Sequence, residues 1–575
     1  MAIEAGAVLG SDSPKREPTP SSTSLASIPQ KRAFDDDHSP AVPSPLNPDV
    51  STSELLPHDD TSHPKTLKPG RVKKDSFKKR EARGGGGGRD SSPVVPDHGS
   101  TRQSDNVDSP LRYKLAPPKP SDFDLPRGPV MTLHHEIQGH GGQGIEFFET
   151  SDHVFNKKNF RYTHCIADPL FPSTLYYRQT EPEPFGPRMS FEDAATSVYF
   201  DRTGRGVTTD KGFRMARANV AVREGRWYWE CKIAHGIQEA KESGAKPEMG
   251  RHVRMGWARR EASLDAPVGF DAYSYGIRDV AGEKVFMSRP KDFFPAGEGI
   301  REGDVIGLEI QLPSESLHRK IMSGTYNPAI DASDEDDGTG PSSSGAVEAA
   351  NIVRDRVPIR FKAHTYFEKI EYHATKELED LMNPSPAGGS SSSSSSSTGT
   401  PNPLHTLPAL RTLPNSHIKV YKNGQLIGTA FENLLGFLPP ASKPQPQVGA
   451  REGLDDGMLG YYPAVSVFRG GAAEVNFGPD FWYPPPEYEA PGADNADDGG
   501  GDTKASALRR KLRGICERYR EQIAEDIVYD VIDEVDFWMQ DGGGATDKKG
   551  VQEKSDAVAA ASRGREEIKE LVQDD

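Results

Sequence analysis

Between about residue 195 and residue 490 the apolar residues of this chain recur every second position in short runs, and polar or glycine-containing turns separate the runs. In Trp227-Tyr228-Trp229-Glu230-Cys231-Lys232-Ile233, residues Trp227, Trp229, Cys231 and Ile233 share one face and Glu230 and Lys232 the other, as in a half-buried antiparallel strand. His252 to Trp257 repeats the device: Val253, Met255 and Trp257 fall together and Arg254 opposite. Asp304 to Leu312 gathers Ile306, Leu308, Ile310 and Leu312 on one side. Ile418 to Lys422, Asn423-Gly424 and Gln425 to Ile427 read as a hairpin, since Asn-Gly supplies the two positive φ angles of a type I′ turn. Further strands fit Ala464 to Phe468 and Ala473 to Phe477. No helical period intervenes, so the fold class is all-β, an antiparallel β-sandwich.

The sandwich cannot occupy the whole chain. Only 34% of the 575 residues are hydrophobic, and residues 1–110 are Ser-, Pro-, Asp- and Lys-rich with few aromatics. They bury too little to offset about 1–2 kcal/mol per residue of backbone ordering, and a disordered N-terminal region is expected. The sandwich domain is expected over 111–490, with long solvated insertions near 314–350 and 383–415, the second holding a serine run from Ser390 to Ser397. A Gly/Asp linker over 491–505 then precedes an amphipathic helix over 506–540 and a polar tail over 541–575. On that helix Ile523, Ile527, Val531 and Val535 recur every four residues, flanked by Val528 and Ile532.

Charge and cysteine content narrow the function. A net charge of −16 argues against a surface devoted to nucleic acid, so any such contact must be local. The local candidate is the basic cluster from Lys65 to Arg83, centred on Lys73, Lys74, Lys78, Lys79 and Arg80, read as an import signal, a DNA-phosphate tether or a solvated charge run. Three scattered cysteines, Cys165, Cys231 and Cys516, fit a reducing compartment and no multi-cysteine zinc finger. Without an apolar run of signal-peptide or membrane-span length, the expected protein is soluble and intracellular, with no membrane role.

No catalytic constellation emerges. Gly139 to Gly144 satisfies GxGxxG, but Ile145 to Glu149 reads as a strand, where a dinucleotide site needs a helix. His134, His135, Glu136 and His140 lack the HExxH spacing of a zinc site. His164 and Cys165 are adjacent in an extended stretch and point to opposite sides, which disfavours a nucleophile–base pair. No cofactor, metal or enzymatic activity is expected.

Seven runs, in order, are KGFRMARANVAVREGRWYWE, VRMGWARREASLDAPVGFDAYSYGIRD, GDVIGLEIQLP, IRFKAHTYFE, YKNG, NFGPDF and EDIVYDVIDEVD. Through them the chain resembles the Ash-two/Bre-two subunits of COMPASS-type histone methyltransferase complexes over roughly residues 195–540. The resemblance implies a SPRY (B30.2-like) sandwich. It also implies a nuclear, non-catalytic scaffold that helps a SET-domain methyltransferase act on lysine four of histone H3. Implied partners are a WD-repeat subunit of the Swd-one/retinoblastoma-binding type and a small helical dimer of the Dpy-thirty/Sdc-one type. Phe213, Arg254, Pro267, Phe270 and Arg278 match family positions facing the WD-repeat partner, with Phe270 standing where tyrosine is commoner. Ile523, Ile527, Val528, Val531 and Val535 match the dimer-docking helix. With three cysteines the chain lacks the metazoan zinc-binding module and resembles the shorter fungal form. The competing reading is a SPRY substrate-recognition adaptor of another nuclear complex such as a ubiquitin ligase, for which no recruiting element is visible.

Overall fold

The structure, a computed structural model, describes residues 118–139, 144–151, 162–168, 177–237, 250–331, 357–361, 364–383, 399–445, 455–490 and 511–540, with a few isolated positions and the pair 569–570. The N-terminal region to residue 117, including the basic cluster, and the linker over 491–505 lie outside the described residues.

Two antiparallel sheets face each other. The larger runs in the order Val130–Gln138, Gly144–Ser151, Tyr199–Phe200, Gly206–Thr208, Ala472–Asn476, Gly225–His235, Val305–Leu312, His417–Lys422, Gln425–Glu432. The smaller runs Arg289–Lys291, Lys284–Phe286, Ser274–Arg278, His252–Ala258, Tyr462–Phe468, Arg214–Ala218, Met189–Ala194. Trp227, Trp229, Cys231, Ile306, Leu308 and Ile310 from the first meet Val253, Met255, Trp257, Ile277, Val465 and Val467 from the second in one core. The Trp229 and Trp257 rings cross edge-to-face at 6.2 Å between centroids, an orientation their quadrupoles favour. The tryptophans are thus core residues, as the alternation implies. Asn423 (φ 49°) and Gly424 (φ 83°) form the expected hairpin turn. The strands on either side of the GxGxxG stretch, Val130–Gln138 and Gly144–Ser151, pair antiparallel, so the chain from Gly144 on continues as a strand where a dinucleotide site would need a helix. A third sheet, built on Val357–Phe361, His364–Glu368, Tyr162–Ala167 and Tyr177–Gln179, carries the buried Cys165.

Four expectations change in the structure. Strand Gly225–His235 is covered on both faces, with Glu230 fully buried. The chain after Asn476 crosses its outer side, and Glu230 accepts the backbone N–H groups of Trp482 (2.7 Å) and Tyr483 (2.8 Å), which a carboxylate satisfies better than an apolar group could. The first insertion starts later than its composition suggests. Glu315–Ser323 is a helix capped by Ser314 Oγ, which accepts Leu317 N–H, and by Gly324 at φ 82°, and it buries Leu317, Ile321 and Met322 in the core. In the second insertion the described residues from 399 on are not a solvated loop, since Leu410 and Leu413 are buried. The C-terminal helix begins at Ile515; Leu512–Gly514 before it pairs in parallel with Gly225–His235 and stitches the helix to the sandwich.

Candidate functional site

The first surface is the outer face of the smaller sheet. On His252–Ala258, alternation sends Val253, Met255 and Trp257 inward and Arg254 outward, opposite Arg278 on one neighbouring strand and Ser466 on the other. Ser466 Oγ accepts the Val268 N–H (3.0 Å), tying the Pro267–Phe270 loop to the face that carries Arg254. A Cβ on Gly276 would stand 2.6 Å from the Val268 carbonyl oxygen, so the loop can lie on the sheet because that position is glycine. Phe270 N–H closes the turn onto the Pro267 carbonyl (3.0 Å) and leaves the Phe270 ring 45% exposed. Phe213 completes the group: its ring lies 4.7 Å from Arg254 Cζ and 4.8 Å from the Phe468 ring.

The two arginines differ in their surroundings. Arg278 forms an ion pair with Glu283 within the chain. Arg254 is half-buried and stacked on Phe213, with no ion pair among the described residues. Burial, and then the neighbouring Arg278 charge, lower the pKa of its guanidinium, so an incoming carboxylate would relieve both effects. The two arginines are therefore not equivalent: Arg278 is paired within the chain, and Arg254 has no ion pair among the described residues. Phe468 and Ser466 were missed because nothing in their own run marks them; they enter only through strand pairing.

The second surface is the C-terminal helix. Ile515 and Cys516 are buried at its base, and Arg518 Nε donates to the Ala221 carbonyl (3.0 Å). One face then follows the sandwich: Tyr519 OH donates to Glu181 (2.5 Å), Gln522 bridges Asn219 and Ala221, and Asp526 pairs with Arg354 (2.7 Å). Further along, Asp530 and Glu534 lie 3.6 and 3.4 Å from Arg178. The acidic residues off the stripe thus fasten the helix to the body. The stripe itself stays exposed, from 42% at Ile523 through 59% at Ile527, 54% at Val528 and 52% at Val531 to 53% at Val535, and Ile532 belongs with it at 45%.

The chain is 61% identical to COMPASS component cclA of Colletotrichum higginsianum, over 98% of this chain and 99% of that protein. It is 41% identical to COMPASS component cclA of Aspergillus fumigatus over 87% of this chain and 78% of that one. The chain belongs to the family of COMPASS components. Family likeness extends to the Set1 complex component ash2 of Schizosaccharomyces pombe, 38% identical over 74% of this chain and 52% of that protein. No protein-family model matches the chain. A solved human SPRY domain is similar over 50% of this chain and 98% of that domain at 12% identity with a TM-score of 0.21, and the description of this member as a β-sandwich rests on its own sheets and core.

Proposed function

We propose that this chain is a nuclear, non-catalytic scaffold subunit that stimulates methylation of histone H3 on lysine four by a SET-domain enzyme. In this reading Arg254, stacked on Phe213 and flanked by Arg278, Pro267 and Phe270, receives an acidic segment of a WD-repeat subunit. The stripe of Ile523, Ile527, Val528, Val531 and Val535 lies in the groove of a Dpy-thirty/Sdc-one type helical dimer. The observation that carries the reading is the stripe: a long helix fastened to the body by its polar face holds a row of aliphatic side chains in solvent. Covering such half-exposed side chains is favourable by roughly 1 kcal/mol each, and a helix-in-groove partner would supply that burial. The names of the relatives support membership in such a complex. The test is reconstitution of the SET-domain enzyme, the WD-repeat subunit and the dimer on histone H3, with and without this chain. Omission should lower lysine-four methylation; equal rates with and without it would overturn the reading.

A further inference from the structure

Arg254 is not the only cation on the outer face of the smaller sheet. Strand Tyr462–Phe468 turns into Ala472–Asn476 through Arg469, Gly470 and Gly471, and the Gly471 N–H closes the turn onto the Phe468 carbonyl (3.0 Å). Arg469 (φ 47°) and Gly470 (φ 83°) are its two central residues, the positive pair of a type I′ turn. Asn or Gly suits the first of these positions; an arginine there meets the Cβ crowding of left-handed backbone. The turn is held in place, since Arg469 N–H donates to the Lys211 carbonyl (2.8 Å) and Gly470 N–H to the Thr209 carbonyl (2.6 Å). The consequence is where the side chain goes. The Arg469 guanidinium lies over the Phe468 ring, 5.1 Å from its centroid; the Phe468 and Phe213 rings are 4.8 Å apart; and Arg254 lies 4.7 Å from Phe213. Two cations thus stand at the two ends of one aromatic pair. Arg469 is exposed and, like Arg254, has no ion pair among the described residues. Acidic residues near by have cations of their own: Asp210 lies 3.0 Å from Lys211, Asp279 3.3 Å from His252 and Asp265 3.6 Å from Arg214.

We propose that Arg469 is a second, specificity-determining contact for the acidic segment that Arg254 receives. The inference rests on the docking reading of that surface and adds a length and a pattern to the segment. The two guanidinium groups can be no further apart than the three separations just given laid end to end, and an extended chain advances about 3.3 Å per residue. Acidic residues up to about four positions apart therefore reach both cations, with an apolar or aromatic side chain between them on Phe213 and Phe468. One carboxylate on Arg254 leaves the segment free to pivot; a second on Arg469 fixes the line it takes across the sheet. Asparagine would suit the backbone better and leave the ring pair with one cation, so the arginine opposes stability and serves binding.

The test measures binding of a Swd-one type WD-repeat subunit to the full chain by calorimetry, at low and high salt, with the thermal midpoint of each variant recorded. Arg469→Asn should keep or raise the midpoint while binding about tenfold more weakly at low salt, the gap closing at high salt. Arg469→Lys, which keeps the charge, should keep the salt dependence of the unsubstituted protein. Arg254→Ala should bind weakly throughout. Unchanged affinity and salt dependence of Arg469→Asn beside a weakened Arg254→Ala would overturn the role of Arg469 and leave that of Arg254 standing. A lowered midpoint in Arg469→Asn together with the loss of binding would make the arginine structural and overturn its role equally. Normal binding by Arg254→Ala would overturn the docking reading and this inference with it.

Discussion

At the scale of single residues, what matters is which charges find partners inside the chain. Arg254 and Arg278 are cross-strand neighbours, yet only Arg278 has an ion pair among the described residues. Arg254→Ala should therefore weaken binding of a WD-repeat partner by about 2–5 kcal/mol with little effect on thermal stability. Arg278→Ala should also lower the thermal midpoint, because it strands Glu283, whose Oε2 is buried. Calorimetry paired with thermal denaturation separates the two. Buried carboxylates set the response to acid. Burial opposes ionisation of Glu309, but His417, Arg226 and Tyr421 overcome it and hold the carboxyl at about 2; for Glu315 burial is likewise outweighed, chiefly by Arg223, at about 2. Both values lie below the ordinary glutamate value, so their stabilisation is complete above about pH 4.5 and is lost as pH falls toward 2. Each contributes up to about 3 kcal/mol. Urea denaturation from pH 7 to 2 should show stability level to about pH 5 and then falling. Glu315→Gln should start lower at neutral pH and fall less steeply.

At the scale of elements, the C-terminal helix has two halves of different use. Its base is part of the fold: Ile515 is fully buried and Leu512–Gly514 is a strand of the larger sheet. Ile515→Ala should cost roughly 2–5 kcal/mol in unfolding free energy. Beyond Tyr519 the apolar stripe contributes nothing to the core, and the double change Ile527→Asp, Val531→Asp should leave the thermal midpoint nearly unmoved while abolishing dimer binding. A midpoint that collapses with the double change would mean the stripe is packed in solution. The period of four was visible in the sequence, as was its apolar character, but the assignment of the intervening Asp526, Asp530 and Glu534 was not. Their position off the stripe does not say what they touch; they are tethers, since Arg178 and Arg354 come from distant parts of the chain.

At the scale of the whole molecule, the two candidate surfaces belong to different elements, the outer face of the smaller sheet and the terminal helix, so on the proposed reading each would serve its own partner. The basic cluster of Lys73, Lys74, Lys78, Lys79 and Arg80 would add a third kind of contact. Replacing those five residues by Gln should weaken nucleosome binding and flatten its dependence on salt, because each phosphate neutralised releases condensed counterions. Methylation of free histone H3 should not change. An unchanged salt slope would leave nuclear import as the role of the cluster.

The sequence by itself determined the class of fold, the tryptophan core, the Asn-Gly hairpin and the apolar helix stripe. Each of these is a local periodicity or a local backbone requirement, readable from residues within a few positions of one another. Only the tertiary structure decided the rest. It buried Glu230 under the chain that follows Asn476, and it drew Leu317 and Leu413 into the core from stretches whose composition reads as solvated. It gave Arg278 its Glu283 and left Arg254 beside Phe213 with no ion pair among the described residues. Burial and charge pairing depend on what arrives from far along the chain, and nothing in the spacing of a residue's neighbours specifies that arrival.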